Sequence, residues 1–168
     1  MNNPVVKINV KNYGQIVVEL YPGVALNTVN NFLKYVVGSY YNNTTFHRII
    51  PGFMIQGGQG SKSYEPIKGE FSANGFKNEL KHTTGIISMA RTSDPNSATS
   101  QFFIMDANSP HLDGQYAGFG ATIEGIDIVN KIANAKRDLS DDSPLEKIII
   151  ENINVELNGF VIGDVIYY

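Results

Sequence analysis

Apolar residues in this chain fall into eight short stretches, at 5–10, 16–20, 46–50, 53–56, 86–90, 101–105, 119–123 and 147–157, separated by turns rich in Gly, Asn and Ser. Strict alternation marks the first two, with Val6, Ile8 and Val10 on one face, then Ile16, Val18 and Leu20 after the short Asn12-Tyr13-Gly14 connection, which predicts a hairpin. Only two segments carry helical spacing. In the first, apolar residues at 29, 32, 33, 36 and 37 follow Asn27 and Thr28 as candidate caps, and Gly38 offers a stop. The second spans residues 126–133. So many short strands with so few helices predict a mainly β fold, a closed eight-stranded antiparallel barrel with an α-helix over each open end, because closure removes the edges an open sheet leaves unpaired.

At 168 residues the chain suits a single domain over 1–168, able to bury roughly 70% of the surface it exposes unfolded. It has no fixed-period repeat and no proline-rich linker. The long irregular stretches are 57–85 and 92–100, and loops of that length inside a compact domain usually carry function. A net charge of −3 supplies no general attraction to nucleic acid or to an anionic membrane, and no apolar run approaches the ~20 residues of a spanning helix. Cysteine is absent, which excludes disulfide scaffolds, thiolate zinc sites and cysteine nucleophiles. The start Met1-Asn2-Asn3-Pro4 has neither a basic nor an apolar leader region, so a cytoplasmic protein is expected, and a monomer.

Arginine is scarce, occurring only at 48, 91 and 137 against ten lysines, so an arginine inside the apolar stretch Phe46-His47-Arg48-Ile49-Ile50 requires a reason. A half-buried guanidinium needs partners for its donors, and Gln56 is a candidate. A surface-strand arginine in an ion pair explains the same residue, and pattern alone leaves both readings open. Period-two spacing places Met54 with Gln56 and Gln101 with Phe103, and turns Phe102 and Ile104 to the core. His47, His82 and His111, even alongside Asp94, Asp106 and Asp113, match no metal-binding spacing, so no metal is expected. The loop Gly57-Gly58-Gln59-Gly60-Ser61-Lys62-Ser63 lacks the ending of a phosphate-binding loop. No nucleophile elbow is present, which disfavours a hydrolase.

The run Phe46-His47-Arg48-Ile49-Ile50-Pro51-Gly52-Phe53-Met54-Ile55-Gln56-Gly57-Gly58 closely resembles the cyclophilin family of peptidyl-prolyl cis-trans isomerases. Gly85-Ile86-Ile87-Ser88-Met89-Ala90-Arg91, Ser100-Gln101-Phe102-Phe103-Ile104, Leu112-Asp113-Gly114 and Phe119-Gly120 follow in the family's order, and the short 38–46 connection is similar to compact bacterial-type members. The resemblance covers roughly residues 5–133. It implies a packed barrel with a substrate groove outside it, isomerisation of X-Pro bonds in polypeptides as an aid to folding, and no cofactor. By position it implies Arg48 as catalytic and Gln56 as the residue orienting it. Phe53, Met54, Phe103 and Leu112 would hold the proline, and Ala90, Arg91 and Gln101 the backbone before it. His111 and Tyr116 complete the substrate-binding set that the resemblance implies; His111 stands where many members have Trp, Tyr116 where many have His, and Arg91 where many have Asn, so cyclosporin-type ligands are expected to bind weakly. A proline-peptide binding module or chaperone with incidental turnover is the other reading; Arg48 with Gln56 favours the enzyme, since binding alone does not demand that pair.

Overall fold

A computed structural model describes residues 2–168. Eight strands follow the order of the apolar stretches: β1 (Val5–Val10), β2 (Gly14–Leu20), β3 (Thr44–Ile50), β4 (Met54–Gly57), β5 (Ile86–Met89), β6 (Phe102–Met105), β7 (Gly118–Glu124) and β8 (Ile149–Glu156). Helix α1 (Leu26–Val37) lies between β2 and β3, and α2 (Ile126–Ala133) between β7 and β8. The strands close into a barrel in the order β1-β2-β7-β5-β6-β4-β3-β8, every neighbour antiparallel. Two short 3-10 turns, Ser72–Asn74 and Pro110–Leu112, were not expected from the pattern; each is a single turn inside a loop, too short to show a period. No helix among the described residues is long and apolar enough to cross a membrane.

Alternation set the faces of β1, β2 and β6 correctly. Val6, Ile8, Ile16, Val18 and Leu20 are fully buried, and so are Phe102 and Ile104, which turn inward from β6. Helix α1 contributes Phe32 to this interior, where its ring meets Phe102 edge-on at 5.5 Å and lies 5.3 Å from Phe119. Each such aromatic pair adds ~0.5 to 1.5 kcal/mol beyond the area it buries. The barrel is therefore filled by side chains, and any binding surface must lie outside it.

The first helix is capped differently from the expectation. Neither Asn27 nor Thr28 caps it; the N-cap position is Ala25, which makes no side-chain cap bond. Instead Glu70, from the long 57–85 loop, accepts hydrogen bonds from the Thr28 backbone N–H at 2.6 Å and the Thr28 hydroxyl at 2.7 Å. A carboxylate there meets both the free N–H groups and the positive end of the helix dipole. At the other end Gly38 has φ −82, and the left-handed residue is Ser39 with φ 58. Beyond β8, Phe160, Ile162, Val165 and Tyr167 pack against the core, and the Asn27 amide exchanges two 2.8 Å hydrogen bonds with the Ile166 backbone.

Strand β3 carries a bulge that sets where Arg48 points. Phe46 pairs with Gly57 and Arg48 with Gln56, so one residue of β3, His47, is extra in the ladder. Simple alternation would send Arg48 to the same side as the buried Phe46. The bulge resets the phase, leaving both His47 and Arg48 half-exposed outside while Ile49 returns to the core. Gly57 accommodates this arrangement, because a Cβ there would sit 2.7 Å from the Thr45 carbonyl oxygen.

Candidate active site on the outer barrel face

The outward faces of β4, β5 and β6 carry a second apolar cluster separate from the barrel interior. Met54, Ile86, Phe103, Met105 and Leu112 form its buried part, with Phe53, Ala90 and Tyr116 packed against it. Register explains the neighbours, since Phe103 lies opposite Gln56 on one side and Ser88 on the other. A pocket of about 200 Å³ opens over this cluster, and Arg48, Phe53, Met54, Gln56, Ala90, Arg91, Phe103, Leu112 and Tyr116 line it. Nine of the eleven residues expected at the site thus meet in one place.

The remaining two lie beside it. Gln101 lines an adjoining polar pocket with Thr92, Ser97 and Thr99, which shares Gln56, Ala90 and Arg91 with the first. His111 is exposed on the turn after Ser109 and stacks on Phe53, ring centroids 5.8 Å apart. Gln56 stands across the ladder from Arg48, but its amide donates to Gln101 Oε1 at 3.1 Å. The ion pairs among the described residues join Lys7 to Glu156, His82 to Asp113 and Arg137 to Asp142, so the surface ion-pair reading of Arg48 fails. Its charge faces the pocket without a carboxylate partner. Arg91 is held by carbonyls: Nε and Nη2 donate to Gln115 O at 3.2 and 2.7 Å, and Nη1 to Thr92 O at 2.9 Å.

Two histidines, His82 behind the pocket and His47 on β3, have surroundings the sequence did not show. His82 is fully enclosed, its Nε2 2.9 Å from Ser88 Oγ and its Nδ1 3.2 Å from Asp113 Oδ1, with the ring stacked on Phe103 at 6.1 Å. These are the residue types of a hydrolytic triad, but Ser88 has no exposed surface from which to attack a substrate. The network supports Phe103 from behind. Burial holds His82 below the ordinary imidazole value, against the opposing pull of Asp113. Burial also lowers His47, whose Nδ1 lies buried without a hydrogen-bond partner.

A depressed histidine value in the folded state means that the unfolded chain takes up the proton first on acidification. Stability from His82 and His47 is therefore complete above about pH 6.5 and is lost as the pH falls below that ordinary value. Urea midpoints should hold level from pH 8 to pH 7 and drop between pH 6.5 and 5. A midpoint rising on acidification would contradict the neutral, enclosed His82.

A filled eight-stranded barrel with two helices and a pocket on its outer wall defines the chain as cyclophilin-like. The family model for cyclophilin type peptidyl-prolyl cis-trans isomerase matches residues 5–155. Peptidyl-prolyl cis-trans isomerase B of Escherichia coli (strain K12) is 43% identical over 161 residues, covering 86% of this chain and 95% of the relative. A peptidyl-prolyl cis-trans isomerase of Acinetobacter baylyi is 47% identical over 134 residues, covering 73% and 69% of the two chains. Among solved structures, a Cryptosporidium parvum cyclophilin type isomerase superposes with a TM-score of 0.82 at 34% identity, covering 92% of this chain and 98% of that one. The same protein crystallised in the presence of the dipeptide Ala-Pro gives 0.81 at 35%, covering 90% and 98%. The chain belongs to the cyclophilin family and is a peptidyl-prolyl cis-trans isomerase. The segment after residue 155, including the tail clasped by Asn27, lies beyond the family match.

Proposed function

We propose that X-Pro bonds are turned in the groove around Arg48, with that guanidinium acting on the prolyl nitrogen. The supporting observation is an arginine without a carboxylate partner at the rim of an apolar pocket. Amide resonance sets a barrier of ~18 to 20 kcal/mol, and uncatalysed exchange takes tens of seconds or more. Reaching milliseconds requires about four decades, or roughly 5.5 kcal/mol of added transition-state stabilisation. No covalent bond breaks. When the bond twists, resonance is lost and the prolyl nitrogen gains a lone pair, so a fixed cationic donor favours that state over either planar one. Arginine side chains are charged at every working pH and keep a planar donor fork, which a hydrated lysine does not.

Phe53, Met54, Phe103 and Leu112 would hold the proline ring, while Ala90, Arg91 and Gln101 hold the preceding backbone, so one side stays fixed as the other turns. Gln56, anchored through Gln101, would keep Arg48 in line. Substrates are X-Pro segments of unfolded or folded polypeptides. Assistance to chain folding in the cytoplasm, by the whole 1–168 chain as one monomeric unit without cofactor, belongs to the same proposal. NMR exchange on an Ala-Pro peptide tests it: turnover should be level from about pH 6.5 to 9, since the proposed chemistry moves no proton. A bell-shaped profile in that window would point to acid-base chemistry instead.

Cyclosporin-type ligands are proposed to bind weakly. His111 presents less apolar area than an indole and stacks only on Phe53 at the pocket's edge. His111→Trp should tighten cyclosporin binding by about 1 to 3 kcal/mol on area grounds, with peptide turnover changing much less, because His111 does not line the proline pocket. Paired titrations of inhibitor and peptide on both proteins measure this. Equal inhibitor affinity would remove position 111 from the drug contact.

A further inference from the structure

Arg91 occupies the partition between the proline pocket and the adjoining polar pocket, lining both. Its guanidinium carbon lies 4.4 Å from the Tyr116 ring centroid and 5.0 Å from that of Phe71, so aromatic faces fix its plane. Three of the five guanidinium N–H donors are spent on the carbonyls of Gln115 and Thr92, leaving one N–H on each terminal nitrogen. No ion pair among the described residues neutralises it, and the other arginine of the groove, Arg48, is equally unpaired. The nearest acidic position in its loop, Asp94, is exposed, does not line either pocket, and its Oδ1 accepts from the Asn96 backbone N–H. The polar pocket supplies no carboxylate of its own, only Gln56, Thr92, Ser97, Thr99 and Gln101 beside Arg91.

An immobilised, uncompensated fork of donors favours a carboxylate and disfavours an ammonium, at little conformational cost. We propose that Arg91 is a specificity-determining residue selecting an acidic side chain on the residue immediately upstream of the X-Pro pair. This rests on the reading that the proline ring occupies the pocket of Phe53, Met54, Phe103 and Leu112, which sends the upstream chain past Ala90 into the polar pocket. Selectivity of this kind directs the enzyme toward acidic stretches before proline in its polypeptide substrates.

The test is NMR exchange on three peptides with uncharged end caps, carrying Glu, Ala or Lys before the same Ala-Pro pair. Wild-type kcat/KM should rank Glu over Ala over Lys, with about two- to fivefold between Glu and Ala at low salt, narrowing as salt screens the pair. Arg91→Gln should collapse the ranking, Arg91→Lys should keep its order, and Arg91→Glu should reverse it. Each ranking is a ratio within one preparation, so partial misfolding of a variant cancels. Equal rates on all three peptides in wild type, or a ranking that survives Arg91→Gln, would overturn the proposal. Arg48→Ala serves as the separate control: it should depress all three rates together, and if it leaves them unchanged the assignment of the groove fails, whatever the peptides show.

Discussion

Replacing Arg48 with alanine lowers kcat/KM for an Ala-Pro peptide by at least about tenfold, equivalent to ~1.4 kcal/mol or more of transition-state stabilisation, and leaves the barrel folded. The fold survives because the side chain makes no ion pair among the described residues, and its backbone pairing with Gln56 does not depend on the guanidinium. The loss falls on kcat, since the proposed interaction with the prolyl nitrogen forms only once the bond has twisted. Saturation kinetics by NMR exchange, with far-UV circular dichroism on the same sample, separates the two effects. Unchanged kcat in a folded variant would remove Arg48 from the reaction.

That arginine also shows where sequence reading stops. Its scarcity and its apolar neighbours singled it out, but the direction it points depends on the bulge at His47, and a bulge leaves no periodic trace. Strict alternation from Phe46 would have buried it. The strands were legible because each has one face in the filled barrel, so a period of two survives in the residues, as at Val6, Ile8 and Val10. Cap chemistry was not legible, since Glu70 reaches the start of α1 from a loop far along the chain. Local rules pointed to Asn27 or Thr28, and tertiary contact prevailed. His82 entered only as a candidate metal ligand; nothing in its spacing from Ser88 and Asp113 announces an enclosed network under Phe103. The eleven site residues came from ordered motifs matched to a family, and geometry then added what motifs lack. It separated Gln101 into a second pocket, moved His111 to the edge, and showed Arg91 immobilised.

The opposite kinetic signature is expected at Phe103. Its ring forms the pocket wall, meets Tyr116 edge-on at 5.7 Å, and covers the enclosed His82. Removing it leaves a cavity among Met54, Met105 and Leu112, and Phe103→Ala should cost about 3 kcal/mol of stability. The proposed grip on the proline ring would be the same whether the bond is planar or twisted, so losing it weakens ground and transition states alike. KM should therefore rise by roughly tenfold, as about 50 Å² of lost apolar contact implies, while kcat changes little. Opening the pocket also lets water reach the His82 imidazole, which relieves the burial holding it below its ordinary value. The acid-induced fall in the urea midpoint should then be shallower than in the wild type. Phe103→Leu, which fills most of the cavity, keeps a folded reference if the alanine variant does not fold, and should show a smaller rise in KM. A fall in kcat at constant KM in Phe103→Leu would mean that this ring acts on the twisting bond itself, and the division of labour between the pocket and Arg48 would have to be abandoned.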